Sequence, residues 1–170
     1  NNLASNDWYA IAKLYVEAKH RSLSDLPIVD VRVFNYFSHT QDMNARFLIT
    51  DIVRALKNNE VFKTSSDNIV RDFVTPPGFY ALIQAIIDFK PINTALDCYT
   101  KSPVSKFDLL SELESKFGLN YEINESIDII NATGSKINYY STNKIAKDMG
   151  YDPINTSLES VIQEINFLGL

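Results

Sequence analysis

The run Ile28-Val-Asp-Val-Arg-Val-Phe34 constrains the fold most. It is short and rich in β-branched residues, the composition of a buried strand. Upstream, a polar cap at Asn6 or Asp7 leads into Trp8, Ile11, Ala12, Tyr15, Val16 and Ala18, which recur at helical spacings to about His20. The turn-like Ser22-Leu-Ser-Asp-Leu-Pro27 joins the two. Helix followed by strand defines an α/β unit.

Further elements follow from the same signals. Met43 to Lys57 predicts a helix with Phe47, Leu48, Ile52, Val53 and Leu56 on one face, ended by Asn58 and Asn59. Extended pieces are expected at Val61-Phe62 and from Ile69 to Val74. Pro76 and Pro77 introduce a helix over roughly Phe79 to Phe89, since proline is tolerated in a first turn. Thr94 to Tyr99 reads as a strand, and Ser105-Lys-Phe-Asp108 as a capping box opening a helix that closes at Phe117-Gly118. Tyr121 to Ile123 is expected to be extended, and Ile127 to Tyr140 a loop with a strand fragment. A short helix from Thr142 to Met149 and a last one opened by Thr156 or Ser157 complete the chain.

At 170 residues, with 45% hydrophobic content, the chain is long enough to bury one core. Its net charge of -5 opposes a phosphate-tracking surface, so nucleic acid is not an expected partner. No run approaches the about 18 apolar residues of a membrane span, and no charged start leads into a leader-like apolar stretch. A cytoplasmic protein without a membrane partner is predicted. Cys98 is alone and reads as packing; His20 and His39 give no metal-ligand spacing and are expected to be solvated. No metal is expected. Because the chain starts at Asn1 rather than Met, it reads as part of a longer product.

Chemistry is suggested by Tyr9 and Lys13, four apart on the first helix and therefore on one face. A phenol is a poor base at neutral pH, but a neighbouring ammonium stabilises its phenolate and makes proton exchange with a substrate hydroxyl feasible. The spacing recurs at Tyr15–Lys19 and Tyr140–Lys144, so spacing alone does not select a pair.

The sequel selects the first. Tyr9-Ala-Ile-Ala-Lys13 is followed by Glu17, by Val31-Arg-Val-Phe-Asn35 and by Arg71-Asp-Phe-Val74. This ordered set resembles the extended short-chain dehydrogenase/reductases, in particular the NAD-dependent nucleotide-sugar epimerases and dehydratases. The likeness continues at Pro103-Val-Ser-Lys-Phe-Asp-Leu109 and at Thr142-Asn-Lys-Ile-Ala-Lys-Asp-Met-Gly-Tyr-Asp-Pro153. It implies an α/β fold, the carboxy-terminal part of an extended Rossmann-type dehydrogenase/reductase with its small mixed α/β substrate domain. Residues 1–38 would be the last helix and strand of the cofactor-binding domain, and 39–170 the nucleotide-sugar domain. The resemblance makes Tyr9 the acid/base and Lys13 its partner, which also binds the nicotinamide ribose of NAD or NADP. It places Phe34 near the nicotinamide, Asn35 on the sugar-nucleotide and Arg71 on the diphosphate, where a planar guanidinium suits phosphate oxygens. It further implies a homodimer for the complete protein.

The sequence departs from the family's pattern in places. Its five glycines are scattered and form no Gly-x-x-Gly-x-x-Gly, so the cofactor would be held mainly by residues before Asn1 and the isolated chain would be inactive. Without those residues, the first helix and strand would lack neighbours and expose apolar surface. Ala12 replaces a serine, Tyr36-Phe-Ser-His39 stands where Tyr-Gly-Pro is usual, Thr75-Pro-Pro77 replaces an acidic pair, and Asp97-Cys98 replaces Asn-x-Gly. Local readings also stand: Arg71 could pair with Asp72 or Asp67, Asn35 could cap a turn, and Phe34 could be core. A second function follows from these departures, a non-catalytic domain of the same fold that binds a nucleotide-sugar or a protein partner.

Overall fold

The computed structural model describes residues 5–124 and 136–170. Helix α1 (Ser5–Ser22) leads into β1 (Val29–Val33). The loop between them is gathered by Asn93, whose amide donates to the carbonyls of His20, Leu23 and Leu26 at 2.9, 2.8 and 3.0 Å. Beyond the short β2 (Asn35–Tyr36) comes α2, Leu48–Asn58, which starts later than its apolar periodicity predicts. The Thr50 hydroxyl accepts from the Phe47 amide and donates to Ala45 O, while Arg54 donates to Met43 O, and these bonds hold residues 43–47 as a turn. Asn59 ends the helix in the left-handed region at φ 53°, a conformation that asparagine tolerates.

The extended run expected over Ile69–Val74 divides into β4 (Val70–Arg71) and β5 (Phe73–Val74), which serve different neighbours. Buried Asp72 sits at the break and accepts from the amide and hydroxyl of Thr100. Helix α3 (Pro76–Asp88) carries its two prolines in the first turn, and β6 is Thr94–Cys98. After β7 (Val104–Ser105), α4 (Lys106–Phe117) opens at Ser105, whose hydroxyl accepts from the Asp108 amide, and closes at Gly118, φ 71°. Between α2 and β4 lies β3 (Phe62–Thr64), and β8 (Tyr121–Ile123) and β9 (Asn138–Tyr139) complete the strands of the described residues. The helix expected over Thr142–Met149 is a 3-10 turn at Ile145–Met149. The last helix, α5 (Ser157–Asn166), has the reciprocal box Thr156/Glu159.

Pairing is mostly parallel: β1 with β6, β2 with β5, β3 with β8 and β4 with β9, while β4 and β7 are antiparallel. Two cores result. The larger packs α2, α4 and α5 through Ile52, Val53, Leu109, Leu113, Val161 and Ile165. The smaller lies under the β1/β6 pair and includes Val74, Leu82, Leu96, Cys98, Met149 and Tyr151. Burial raises the Cys98 thiol to about 12. Among the described residues β1 has only β6 beside it, and α1 leaves Trp8, Leu14 and Tyr15 61%, 65% and 68% exposed. This is the apolar surface the sequence predicts. No helix among the described residues is long and apolar enough to cross a membrane.

Candidate functional site

Tyr9 and Lys13 are one turn apart on α1, and the Lys13 ammonium lies over the Tyr9 ring, 5.5 Å from its centroid. Tyr9 itself is 69% exposed. Glu17 continues this ladder by one more turn and anchors it: Arg32 of β1 donates to Glu17 through Nε at 2.9 Å and also through Nη2, and its Nη1 reaches Asp97 at 3.1 Å. The hydrogen bond to Glu17 is the largest cause of the raised Arg32 pKa, opposed by burial. At the helix end, His20 Nδ1 and Arg21 both engage Asp30 of β1, at 2.7 and 2.8 Å.

These contacts fix direction. Because His20 meets Asp30 while Glu17 meets Arg32, α1 runs antiparallel to β1. With about 1.5 Å of rise per helical residue and about 3.3 Å per strand residue, Lys13 and Tyr9 lie about 6 and 12 Å beyond Glu17, on the heading that puts Phe34 and Asn35 about 7 and 10 Å beyond Arg32. The tyrosine–lysine ladder therefore extends towards the carboxyl end of β1, the end of a parallel sheet at which ligands bind in open α/β folds.

Phe34, Asn35 and Arg71 meet at that end around a residue that no sequence motif singles out, Tyr139 of β9. The Phe34 ring is edge-on to Tyr139 at 5.2 Å and belongs to neither core. The Asn35 amide donates to Tyr139 O at 3.3 Å and to Asp72 O at 3.5 Å. Arg71 pairs with neither Asp72 nor Asp67. Its Nη1 donates to Val70 O and Ile137 O at 2.8 and 3.1 Å, its Nη2 to Lys136 O at 2.8 Å, and its guanidinium carbon is 6.0 Å from the Tyr139 centroid. Burial lowers its pKa, and of its five N–H donors two have no partner among the described residues. The Lys136 ammonium adds a second cation, 4.3 Å from the same ring. Tyr9 and Lys13 make no hydrogen bond or ring contact with this group. Tyr139 lies 104 residues from Asn35 in sequence, a pairing no local pattern announces.

His20 and His39, expected in solvent, are half-buried against carboxylates. His39 donates from its backbone amide to the Glu164 carboxylate at 2.8 Å and contacts it through Nδ1 at 2.7 Å, and Glu164 is 2% exposed. This ties the Tyr36-Phe-Ser-His39 departure to α5. Among the described residues no group of three or more His, Cys, Asp or Glu could hold a metal.

The fold that carries this corner recurs in solved nucleotide-sugar epimerases and dehydratases. Among solved structures, the chain is similar to UDP-glucuronic acid 4-epimerase from Bacillus cereus, solved with UDP-glucuronic acid and NAD: TM-score 0.75, 15% identity, 94% of this chain and 50% of that one. It is similar to dTDP-glucose 4,6-dehydratase from Bacillus anthracis in complex with NAD at TM-score 0.73 and 13% identity, over 93% and 49% of the two chains. MoeE5 with UDP-glucuronic acid and NAD gives 0.67 and 17%, over 83% and 46%. The chain thus spans about half the length of the structures it matches. At these identities the likeness is one of fold, and it is the fold expected from the sequence, part of an extended Rossmann-type dehydrogenase/reductase. No family model and no curated protein sequence matches.

Proposed function

We propose that this chain is the acid/base and substrate-binding part of an NAD- or NADP-dependent nucleotide-sugar epimerase or dehydratase. The observation that carries the reading is the heading of the Tyr9–Lys13–Glu17 ladder, fixed by Glu17–Arg32 and His20–Asp30, towards the end of β1 where Phe34, Asn35 and Arg71 gather. Tyr9 accepts the proton of the sugar hydroxyl being oxidised and returns it in the reverse step. Lys13 supports the phenolate once its ammonium moves from the ring face to the hydroxyl. Asn35 orients the sugar-nucleotide, and Arg71 offers its two remaining donors to the diphosphate. Phe34 presents an aromatic surface outside the core, suited to lie against a flat ring.

The residues present fit a nicotinamide dinucleotide only in part: exposed Tyr9 and Lys13 and the Phe34 ring are available to it, while the five glycines form no phosphate loop. When bound, such a cofactor supplies the hydride acceptor. We assign its main binding to a further, amino-terminal half beside β1 and expect the 170-residue chain alone to be inactive. Residues 1–38 complete the cofactor domain and 39–170 form the substrate domain, the β1 core also drawing on β6 and α3. The complete protein is proposed to be cytoplasmic and homodimeric, with a second copy on α1.

The engagement of Arg71 with three backbone carbonyls favours a second reading, a non-catalytic domain of this fold that binds a nucleotide-sugar or a protein. The two separate on incubating the whole polypeptide with NAD and UDP-glucuronic acid or UDP-glucose, the sugars bound by the solved relatives. A stereoisomer or dehydrated sugar in the NMR spectrum supports the enzyme; saturable binding with unchanged substrate supports the binding domain.

A further inference from the structure

Behind the Asn35 corner, beyond the Asp72–Thr100 pair, a groove runs between the carboxyl end of β6, the 3-10 turn and residues 151–154. Its wider part encloses about 350 Å³ and is bordered by Tyr99, Lys101, Lys144 and Lys147. A narrower part of about 130 Å³ continues along Thr75, Gly78 and Ser160. Tyr99, Thr100, Tyr151 and Asp152 border both, so the two are continuous. No residue assigned above to the nucleotide-sugar borders either.

In the narrow part, Thr75 and Ser160 are each 5% exposed, yet neither hydroxyl has a hydrogen-bond partner among the described residues. Neither oxygen is sealed off within the protein, so both open on to the groove and can hydrogen-bond a ligand or solvent there. α3 begins there without a side-chain cap, and because Pro76 and Pro77 carry no N–H and Phe79 bonds back to Thr75 O, the Gly78 amide is the orphan donor of its first turn.

In the wide part the Lys144 ammonium lies 3.6 Å from the Tyr99 centroid and has no hydrogen bond or ion pair among the described residues. Burial lowers its pKa against the opposing pull of Asp72 and Asp97, the state of an ammonium short of partners. Those two carboxylates are already engaged, Asp72 by Thr100 and Asp97 by Ser141 and Arg32. Among the described residues Lys101 and Lys147 also make no ion pair; the carboxylates near them are Glu159, whose pKa Lys101 helps to lower, Asp152 on the shared wall and Asp148 on the 3-10 turn. Three ammonium groups match the several acceptor oxygens of a phosphate better than the two of a carboxylate. A volume of 350 Å³ is near the small end of ligand cavities, which run from about 300 to 1,000 Å³.

We propose that this groove binds a small organic phosphate, its anion on Lys101, Lys144 and Lys147 and its hydroxyl-bearing body against Thr75 and Ser160. The test is titration of the full chain with inorganic phosphate and with glycerol 3-phosphate, followed by amide NMR shifts at Gly78 and Lys101. Saturable binding is expected, in roughly the millimolar range for inorganic phosphate and tighter for the ester. The double substitution Lys101→Gln/Lys147→Gln, at exposed positions, weakens both about tenfold. Thr75→Val weakens only the ester, and Arg71→Ala changes neither, which separates this groove from the nucleotide-sugar corner. Titrations that do not saturate, equal affinity for the two probes, an inert lysine pair, or loss of binding in Arg71→Ala would overturn the proposal.

Discussion

The α2/α4/α5 body and the α1/β1 corner both carry many apolar side chains but finish them differently. In the body Ile52, Leu109, Leu113, Val161 and Ile165 are fully buried against one another. In the corner Trp8, Tyr9, Leu14 and Tyr15 stand in the open, and α1 is held by ion pairs and hydrogen bonds at its last two turns. Side chains of the first kind contribute about 1.5–3 kcal/mol each by leaving water, whereas exposed ion pairs contribute roughly 0–1 kcal/mol. The body therefore stabilises itself. The corner carries apolar surface that nothing among the described residues buries, and it is the corner that bears the tyrosine–lysine pair.

Substitution in the body gives the largest effect. Leu113→Ala should lower stability by about 2–5 kcal/mol in denaturant unfolding. If the loss is small, the body is not the self-sufficient half of the comparison. Next comes Leu14→Ser on α1. In the 170-residue chain it should change stability by less than about 0.5 kcal/mol. In the longer polypeptide proposed above it should cost about 1.5–3 kcal/mol, the proposed amino-terminal half or second copy covering that face. Equal effects in both would place α1 in solvent throughout.

Smaller effects test the local caps. Thr156→Ala should cost about 1 kcal/mol through loss of the α5 cap. That contribution is acid-sensitive. Hydrogen bonds from the Thr156 amide and hydroxyl lower the Glu159 pKa from its usual 4.5. A folded pKa below the unfolded one gives stability that is fully present above pH 4.5 and lost as pH falls through the folded value. Thr156→Ala keeps the amide bond and removes only the hydroxyl bond, so the gap to wild type should narrow in part between neutral pH and about pH 3; a constant gap would mean the Thr156 hydroxyl does not stabilise the Glu159 carboxylate.

What the sequence made legible was whatever rests on local chemistry. Pro76 and Pro77 announce α3, Ser105 and Gly118 bound α4, and Thr156 opens α5, because each feature is decided within one turn. Long-range events were not legible. Nothing local says that Asp72 will bury itself against Thr100 and split one extended run into two strands, or that His39 will meet Glu164, 125 residues away. The candidate site divides in the same manner. Tyr9, Lys13, Phe34, Asn35 and Arg71 came from an ordered motif set, whereas Tyr139, which joins the last three, depends on a β9 pairing that only the folded chain reveals.

The two tyrosine–lysine pairs of α1 offer the most direct test, since Tyr9–Lys13 and Tyr15–Lys19 share spacing, helix and exposure but differ in heading, and only in the first does the ammonium lie over the ring. The measurement is nucleotide-sugar conversion by the whole polypeptide with NAD, comparing Tyr9→Phe and Tyr15→Phe with the wild type. Loss of an acid/base group should reduce kcat about 10²–10⁴-fold in Tyr9→Phe and leave Tyr15→Phe close to wild type. Undiminished conversion by Tyr9→Phe would contradict the account.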